Sequence, residues 1–462
     1  MRRSRRGIVT LTVVWAIAIA SVIVAATQVL AFRQATIGRE ALARTQARWA
    51  ARAGIETMIA IMEWHTANPD PDDAQALTRD LEANAVGELE TGAWDIRHFI
   101  DGQEWAGPLD EHAKLNINTA NKLMLQNIPN MTQDVVDSIM DWRDGDSDVQ
   151  GLGAERDYYR NRNLGYEPRN GDFRSIAELE LVAGAWPQYV RGEDWNLNGR
   201  LDPNENDGKR SPPDDRPDGK LDAGWSALLT AASRANPNGP SGEPRLDLAK
   251  ANAETLMART GVDNQQAAAL LAYARGANAT MGQILATPLG QLSNRRGGQT
   301  APAAGSSGLT GRSSVGRTPG TAGGTTGGVK SLDPKQMRAV MNECTIVDSR
   351  GSANQRGGKI NLNTVSRGVL RDVLQLEPRF AEAILSRRAA KSEGLQSLGD
   401  LVDLPGVNQT QLIQLAQVAD VTSTVYTIDS RGRSKGSGAE AEMLVVVDRS
   451  SLPARILEYR EP

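Results

Sequence analysis

Met1-Arg-Arg-Ser-Arg-Arg-Gly7 runs directly into Ile8-Val-Thr-Leu-Thr-Val-Val-Trp-Ala-Ile-Ala-Ile-Ala-Ser-Val-Ile-Val-Ala-Ala-Thr-Gln-Val-Leu-Ala-Phe32. The second stretch is 25 residues long and carries no charge. About 20 apolar residues suffice for a helix to cross a bilayer. Four arginines immediately before it predict that the extreme N-terminus stays cytoplasmic. Everything after Arg33 is then expected on the far side of the inner membrane.

A secretory signal has a shorter apolar core, a small-residue cleavage site and then unrelated sequence. Here the helical pattern continues. Arg33 to Trp64 is rich in alanine, glutamine, arginine and leucine and has no proline. Ala43, Trp49, Ala53, Ile55, Ile59 and Met62 recur at roughly helical intervals. The pattern predicts one helix of about 55 residues, its first half in lipid and its second half amphipathic on a soluble domain. By residue pattern alone, a single signal anchor is the alternative.

The chain has 462 residues, enough for two or three domains. Its formal charge is −4, and loss of the four leader arginines would make it −8. A general nucleic-acid surface calls for the opposite sign. The lone Cys344 cannot form an intrachain disulfide, so an exported chain needs another stabiliser. His65, His98 and His112 are widely spaced and there is no HExxH, which argues against zinc chemistry. There is no GxSxG, no P-loop and no cysteine–histidine arrangement to support hydrolysis.

Three strings share a rare pattern: Lys114-Leu-Asn-Ile-Asn-Thr-Ala-Asn121, Arg245-Leu-Asp-Leu-Ala-Lys-Ala-Asn252 and Lys359-Ile-Asn-Leu-Asn-Thr-Val-Ser366. Each reads as a short strand ending in residues that cap a helix. A helix (Lys122–Asn127, Ala253–Thr260, Arg367–Gln375) and a turn follow. A second helix (Gln133–Trp142, Asn264–Arg275, Arg379–Arg388) and a short third one (Ser175–Val182, Met281–Ala286, Ser397–Leu404) complete each unit. The period exceeds 100 residues, so these are duplicated helical modules rather than a solenoid. Leu404-Pro405-Gly406-Val407 in the third looks like a helix-hairpin-helix, with Asn408 where a second glycine is usual.

Around these modules lies a split sheet. Trp94–Ile100 alternates like a strand before the first module. Ser423–Asp429 and Ala441–Asp448 follow the third, joined by a Gly/Ser/Lys turn at Arg431–Gly438. Asn294 to Gly328 is rich in Gly, Ser, Thr and Pro and has no acidic residue, the composition of a flexible linker.

Asp194-Trp-Asn196-Leu-Asn198-Gly199-Arg200-Leu-Asp202-Pro-Asn-Glu205 fits the twelve-residue EF-hand loop. Oxygen side chains stand at loop positions one, three, five, nine and twelve, and glycine stands at six. Arg200 would add its backbone carbonyl, and calcium needs six to eight such oxygens. The competing reading is an Asx-rich surface turn. Pro203 and the prolines beyond Glu205 leave no exiting helix, so the loop would stand alone. Asp214, Asp218, Lys220 and Asp222 form a partial second loop, with Arg216 at position three and Trp225 at twelve. Asp144, Asp146 and Asp148 offer three alternating carboxylates as a third, weaker candidate. Calcium here is expected to be structural, ordering loops that carry few apolar residues.

Gly7-Ile8-Val9-Thr10-Leu11 behind a basic leader resembles the prepilin-peptidase site of type IV pilins and type II secretion pseudopilins. The resemblance implies cleavage after Gly7 and methylation of Ile8 as the first mature residue. Most members have glutamate as the fifth mature residue, where it neutralises a neighbour's terminal amine. This chain has Thr12. That departure, with Leu115-Asn-Ile-Asn-Thr119 and Ile139-Met-Asp-Trp142, resembles the K-type minor pseudopilins, which sit at the filament tip, carry a helical insertion and bind calcium.

These readings predict an α+β fold: a long N-terminal transmembrane helix and a small antiparallel sheet, interrupted by a large helical insertion. The expected divisions are a leader (1–7), a membrane helix (8–32), its periplasmic continuation (33–66) and a first sheet region (67–113). Modules one and two with the calcium loops (114–291), a linker (292–332), a third module (333–420) and C-terminal strands (421–462) follow. The resemblance implies a structural, non-enzymatic part of a type II secretion machine, held in the inner membrane with its bulk periplasmic. Its expected partners are other minor pseudopilins, the inner-membrane secretion machinery and prepilin peptidase. The alternative is a membrane-tethered hairpin protein for DNA uptake, using Arg367, Arg371, Arg379, Arg387 and Arg388 as a basic face. A calcium-dependent exported hydrolase is a third option, without a nucleophile–base pair to support it.

Overall fold

The computed structural model describes residues 6–294, 329–347 and 357–461. Helix α1 (Arg6–Ala67) runs unbroken for 62 residues. It contains no proline and stops just before Asn68-Pro69, where a following proline disfavours helical backbone. It is the one helix among the described residues long and apolar enough to cross a membrane, and its apolar stretch is not buried against the rest of the chain. Its second half buries one stripe: Ala43, Ala47, Ala50, Ala51, Ile55, Met58 and Met62. Trp49, expected on that stripe, is 59% exposed on the other side of the helix.

After helix α2 (Ala76–Ala83) come β1 (Val86–Glu88), β2 (Gly92–Ile100), β3 (Gln103–Ala106) and β4 (Leu109–Asp110). Among the described residues of the insertion lie three pairs of two-residue strands. These are β5 (Leu115–Asn116) with β6 (Leu229–Thr230), β7 (Leu246–Asp247) with β8 (Cys344–Thr345), and β9 (Ile360–Asn361) with β10 (Ala419–Asp420). The chain then returns as β11 (Val425–Ser434), β12 (Glu440–Asp448) and β13 (Arg455–Arg460). The main sheet is antiparallel, in the order β1-β2-β11-β12-β13, with β3 beside β2 and β4 beside β11. Strands from either side of the insertion are therefore direct neighbours, with Trp94 opposite Gly432.

Two boundaries differ from the sequence reading. The hairpin turn is shorter than Arg431–Gly438, because β11 continues to Ser434. The linker is also shorter than 292–332. Leu289–Asn294 is helical with Leu292 buried, and Val329 and Leu332 pack on the second module's core. The rest of the expected linker, 295–328, lies outside the described residues.

One face of the sheet packs on α1. Ile96, Tyr426, Ile428, Met443, Val445 and Val447 meet Ala51, Ile55, Met58 and Met62. Glycine makes this approach close. A Cβ on Gly432 would overlap the Ala47 carbonyl and the Ala51 amide, and one on Gly54 would lie 2.7 Å from Ser430 Oγ.

The repeated strings have a repeated construction. Each opens with a strand of a parallel two-residue pair, and the partner strand arrives at the module's far end. An arginine closing the second long helix reaches back to carbonyls of the opening string. Arg143 donates to Ile117 O and Ala120 O, Arg388 to Leu362 O (3.2 Å) and Val365 O (2.7 Å), and Arg275 to Ala249 O and Ala251 O (3.4 Å each). In all three the arginine and its first carbonyl are 26 residues apart. Asn118 exchanges two amide bonds with the Phe173 backbone and Asn363 does the same with Leu395. In the second module the matching residue is Ala249. The first and third modules share one apolar core, whereas the second has its own around Leu248, Leu256 and Leu270. The third module's expected first helix is a short π-helical turn, Val369–Val373.

Candidate metal sites on the helical insertion

Helix α3 (Lys122–Gln126) is short, and α4 (Gln133–Arg143) carries Asp137 and Asp141 inward. Past its end the chain turns through Asp144 and Asp146 and comes back to Glu155, just before a helix at Arg156–Asn161. Ligand oxygens of Asp144, Asp146 and Glu155 lie within 4.8 Å of one another. Glu155 is 3% exposed, and neither of its carboxylate oxygens has a hydrogen-bond partner. The same holds for Asp144 Oδ1. Burial, and then the charges of Asp141, Asp144 and Asp146, raise the Glu155 pKa; burial and Asp146 raise that of Asp144. Buried carboxylates left this way are costly unless a cation joins them. The loop between is held open by its own backbone: Gln150 N donates to Asp141 Oδ1 (3.0 Å) and Leu152 N to Asp137 Oδ2 (3.0 Å). Asp137 is in turn paired with Lys122 at 2.5 Å.

The cluster differs from the sequence reading in one member. Asp148 is exposed and not in the triad; its backbone N–H donates to Asp146 Oδ1. Glu155 takes its place. No spacing rule selects a glutamate nine residues beyond Asp146; its burial in the fold does.

The 194–205 loop folds its oxygens inward. Asn198 N and Gly199 N donate to the two oxygens of Asp194 (3.0 and 2.9 Å), and Arg200 N donates to Asn198 Oδ1 (2.8 Å). Glu205 closes the ring, accepting from Trp195 N (2.9 Å) and Asp202 N (3.0 Å). Leu197 and Gly199 take φ of 55° and 70°, the left-handed turn that glycine at position six allows. Asp202 accepts from the amides of Asn196 (2.8 Å) and Asn198 (3.3 Å) and from Arg431. Asp194, Asn198, Asp202 and Glu205 are all buried. Burial pushes the Asp194 carboxyl up to about 6 and that of Glu205 up to about 7.

Asp214, Asp218, Lys220 and Asp222 do not converge. All four are exposed, Asp218 and Asp222 cap backbone N–H groups within their own turn, and none joins a cluster of acids. Gly7 and Ile8 lie in the first turn of α1, and the leader before Arg6 lies outside the described residues.

Of the five arginines of the expected basic face, Arg379 is exposed and Arg387 half-buried, and the other three are engaged. Arg388 is turned inward onto two carbonyls, Arg367 pairs with Glu382, and Arg371 lies 3.7 Å from Asp372.

Residues 111–192, which include the acidic triad, match the family model described as Type II secretion system (T2SS), protein K. Among solved structures, the chain is similar to one in the crystal structure of the GspK-GspI-GspJ complex from the enterotoxigenic Escherichia coli Type 2 Secretion System. The identity is 12%, the TM-score is 0.41, and the match covers 90% of this chain and 96% of that one. No curated protein matches.

Proposed function

We propose that this chain, a minor pseudopilin of the type II secretion K family, works at the tip of the pseudopilus as a structural element rather than a catalyst. The observation that carries the reading is the protein K match over 111–192, which falls on the first module of an insertion between β4 and β11. Tip placement is supported by Thr12, whose hydroxyl donates to Val9 O of its own helix at 2.9 Å. It offers no charge to the terminal amine of a subunit above. The α1 helix anchors the chain in the inner membrane before assembly, with the N-terminus cytoplasmic and the bulk periplasmic. Other minor pseudopilins meet it along that helix, and the inner-membrane machinery and prepilin peptidase handle it before assembly.

Calcium is the cofactor this reading assigns. Asp144, Asp146 and Glu155 fit a hard cation through converging carboxylates, of which both Glu155 oxygens and Asp144 Oδ1 are buried without a partner, and the Asp194, Asn196, Asn198, Arg200, Asp202 and Glu205 loop fits by its ligand spacing and by side-chain oxygens already turned onto its own backbone N–H groups. The ion would supply charge compensation and a fixed fold, with no chemical step. Intact mass and N-terminal sequencing, from cells with and without prepilin peptidase, test the assignment. A chain beginning at methylated Ile8 only when the peptidase is present supports it; a chain beginning at Met1 in both refutes the processing.

A further inference from the structure

The 194–205 loop does more than close on itself: it is seated on the sheet. Arg200 Nη2 donates to Asp95 Oδ2 (2.6 Å) and Phe99 N to Gly199 O (2.8 Å), both on β2. Arg431 of β11 pairs with Asp202, and Asn198 Nδ2 donates to Glu442 Oε1 of β12 at 3.0 Å. Arg460 of β13 donates to Asn196 O (2.8 Å) and Leu197 O (3.0 Å). One loop thus reaches four strands. Ile96, Ile428 and Met443 face α1, so their neighbours Asp95, Asp429 and Glu442 face away from it. The loop therefore covers the sheet face that the membrane helix leaves free.

The seam between loop and sheet is short of positive charge. Asp194, Asp202, Glu205 and Asp429 are buried, and Asp95 and Glu442 are half-buried. Against these six carboxylates stand Arg200, Arg431, Lys114, whose charge acts on Asp194, and Arg460, itself shared with Glu458, with Arg97 shared between Asp95 and Glu104. Asp429 is 2% exposed, both its oxygens lack a hydrogen-bond partner, and its nearest guanidinium, that of Arg200, is 3.7 Å away. An orphaned carboxylate under an excess of acid is an independent sign of a missing cation.

We propose that the loop is an ion-locked clasp: a divalent cation of calcium's size, held in it, fixes the helical insertion to the α1-distal face of the sheet. Removing the ion lets the insertion lift from β2 and β13. The opposite tether stays closed, because it is a polar joint independent of the loop. There Asp110 Oδ2 accepts from Asn361 Nδ2 (3.2 Å) and Ser423 Oγ (2.6 Å), and His112 Nδ1 bonds Lys359 O at 2.8 Å. The clasp opens about that joint. The proposal rests on the calcium reading of this loop.

The test uses the full chain in detergent. Terbium luminescence that is lost in Trp195→Phe reports ion binding at this loop, since Trp142 lies beside the other acidic site. Hydrogen exchange over Gly92–Ile100 and Arg455–Arg460, with calcium or with chelator, reports docking. With calcium at about a hundred times its Kd, exchange through opening slows by about 100-fold. Glu205→Gln in calcium exchanges like wild type in chelator, while Asp146→Asn leaves the effect intact. If terbium binds the loop but both strands exchange alike with and without calcium, the clasp is wrong and the calcium reading stands. If no Trp195-sensitised signal appears, both fail. The chelator comparison on wild type keeps the test valid should the Glu205 variant not fold.

Discussion

Gly432→Ala tests how α1 is seated on the sheet. The added methyl overlaps the carbonyl of Ala47 and the amide of Ala51, both backbone atoms of the helix. No side chain can rotate to make room, and Ala47, Ala50 and Ala51 are fully buried beside it. Overpacking of this kind costs about 3 kcal/mol, the upper part of its usual range. Alanine recovers up to about 1 kcal/mol through its lower chain entropy. The net loss of about 2–3 kcal/mol corresponds to roughly 30- to 150-fold faster exchange of amides that open with the helix–sheet unit. Exchange over 43–62 and Val425–Ser434 reads this directly. Gly436→Ala, in the turn of the same hairpin, is the control: its nearest neighbour would be Ser434 Oγ at 3.8 Å, and its effect stays within about 0.5 kcal/mol. A Gly432→Ala protein exchanging within about twofold of the control refutes the packing described.

Three further outcomes follow from particular residues. Arg388→Met strips donors from two carbonyls and costs about 2–3 kcal/mol in denaturant unfolding, whereas Arg379→Met, at an exposed position of the same helix, costs less than about 0.5 kcal/mol. Glu155→Gln removes one charge from the acidic triad, so it raises the melting temperature in chelator and abolishes the further rise that calcium gives; a variant still stabilised by calcium to the wild-type extent would remove Glu155 from the site. Burial lowers the pKa of His98 below its ordinary 6.5, so the unfolded chain binds its proton first. Stability is then full above that value and falls as pH drops through it, and His98→Gln flattens this loss between about pH 7.5 and 5.5.

The long helix was legible because an unbroken apolar run followed by a proline-free amphipathic stretch has few other solutions. The three opening strings were legible as strands with helix caps, and Asn121, Asn252 and Ser366 do accept backbone N–H groups there. Their closing strands were not. Two-residue segments such as Ala419–Asp420 carry no periodicity and exist only through their partners. The arginine staples were hidden for a related reason, since a contact across 26 residues leaves no local pattern. Charged edge strand β13 (Arg-Ile-Leu-Glu-Tyr-Arg) alternates poorly because of the bulge opposite Val446 and Val447. At the acidic cluster, sequence spacing gave Asp144, Asp146 and Asp148 whereas the fold gathers Asp144, Asp146 and Glu155, because proximity along the chain stood in for burial.

The paired two-residue strands behave like brackets. β5 opens and β6 closes, then β7 and β8, then β9 and β10, and no pair straddles another. All three sit within the larger bracket made by β4 and β11. A segment whose ends are hydrogen-bonded neighbours can be cut out and its ends rejoined with little disturbance to what lies outside. For the second bracket, whose apolar centre is largely its own and which lends Leu285 and Met341 to the neighbouring core, loss of the whole unit would leave the strand pairings of the main sheet in place. Such a plan lets the insertion change size while the long helix and the sheet stay the same.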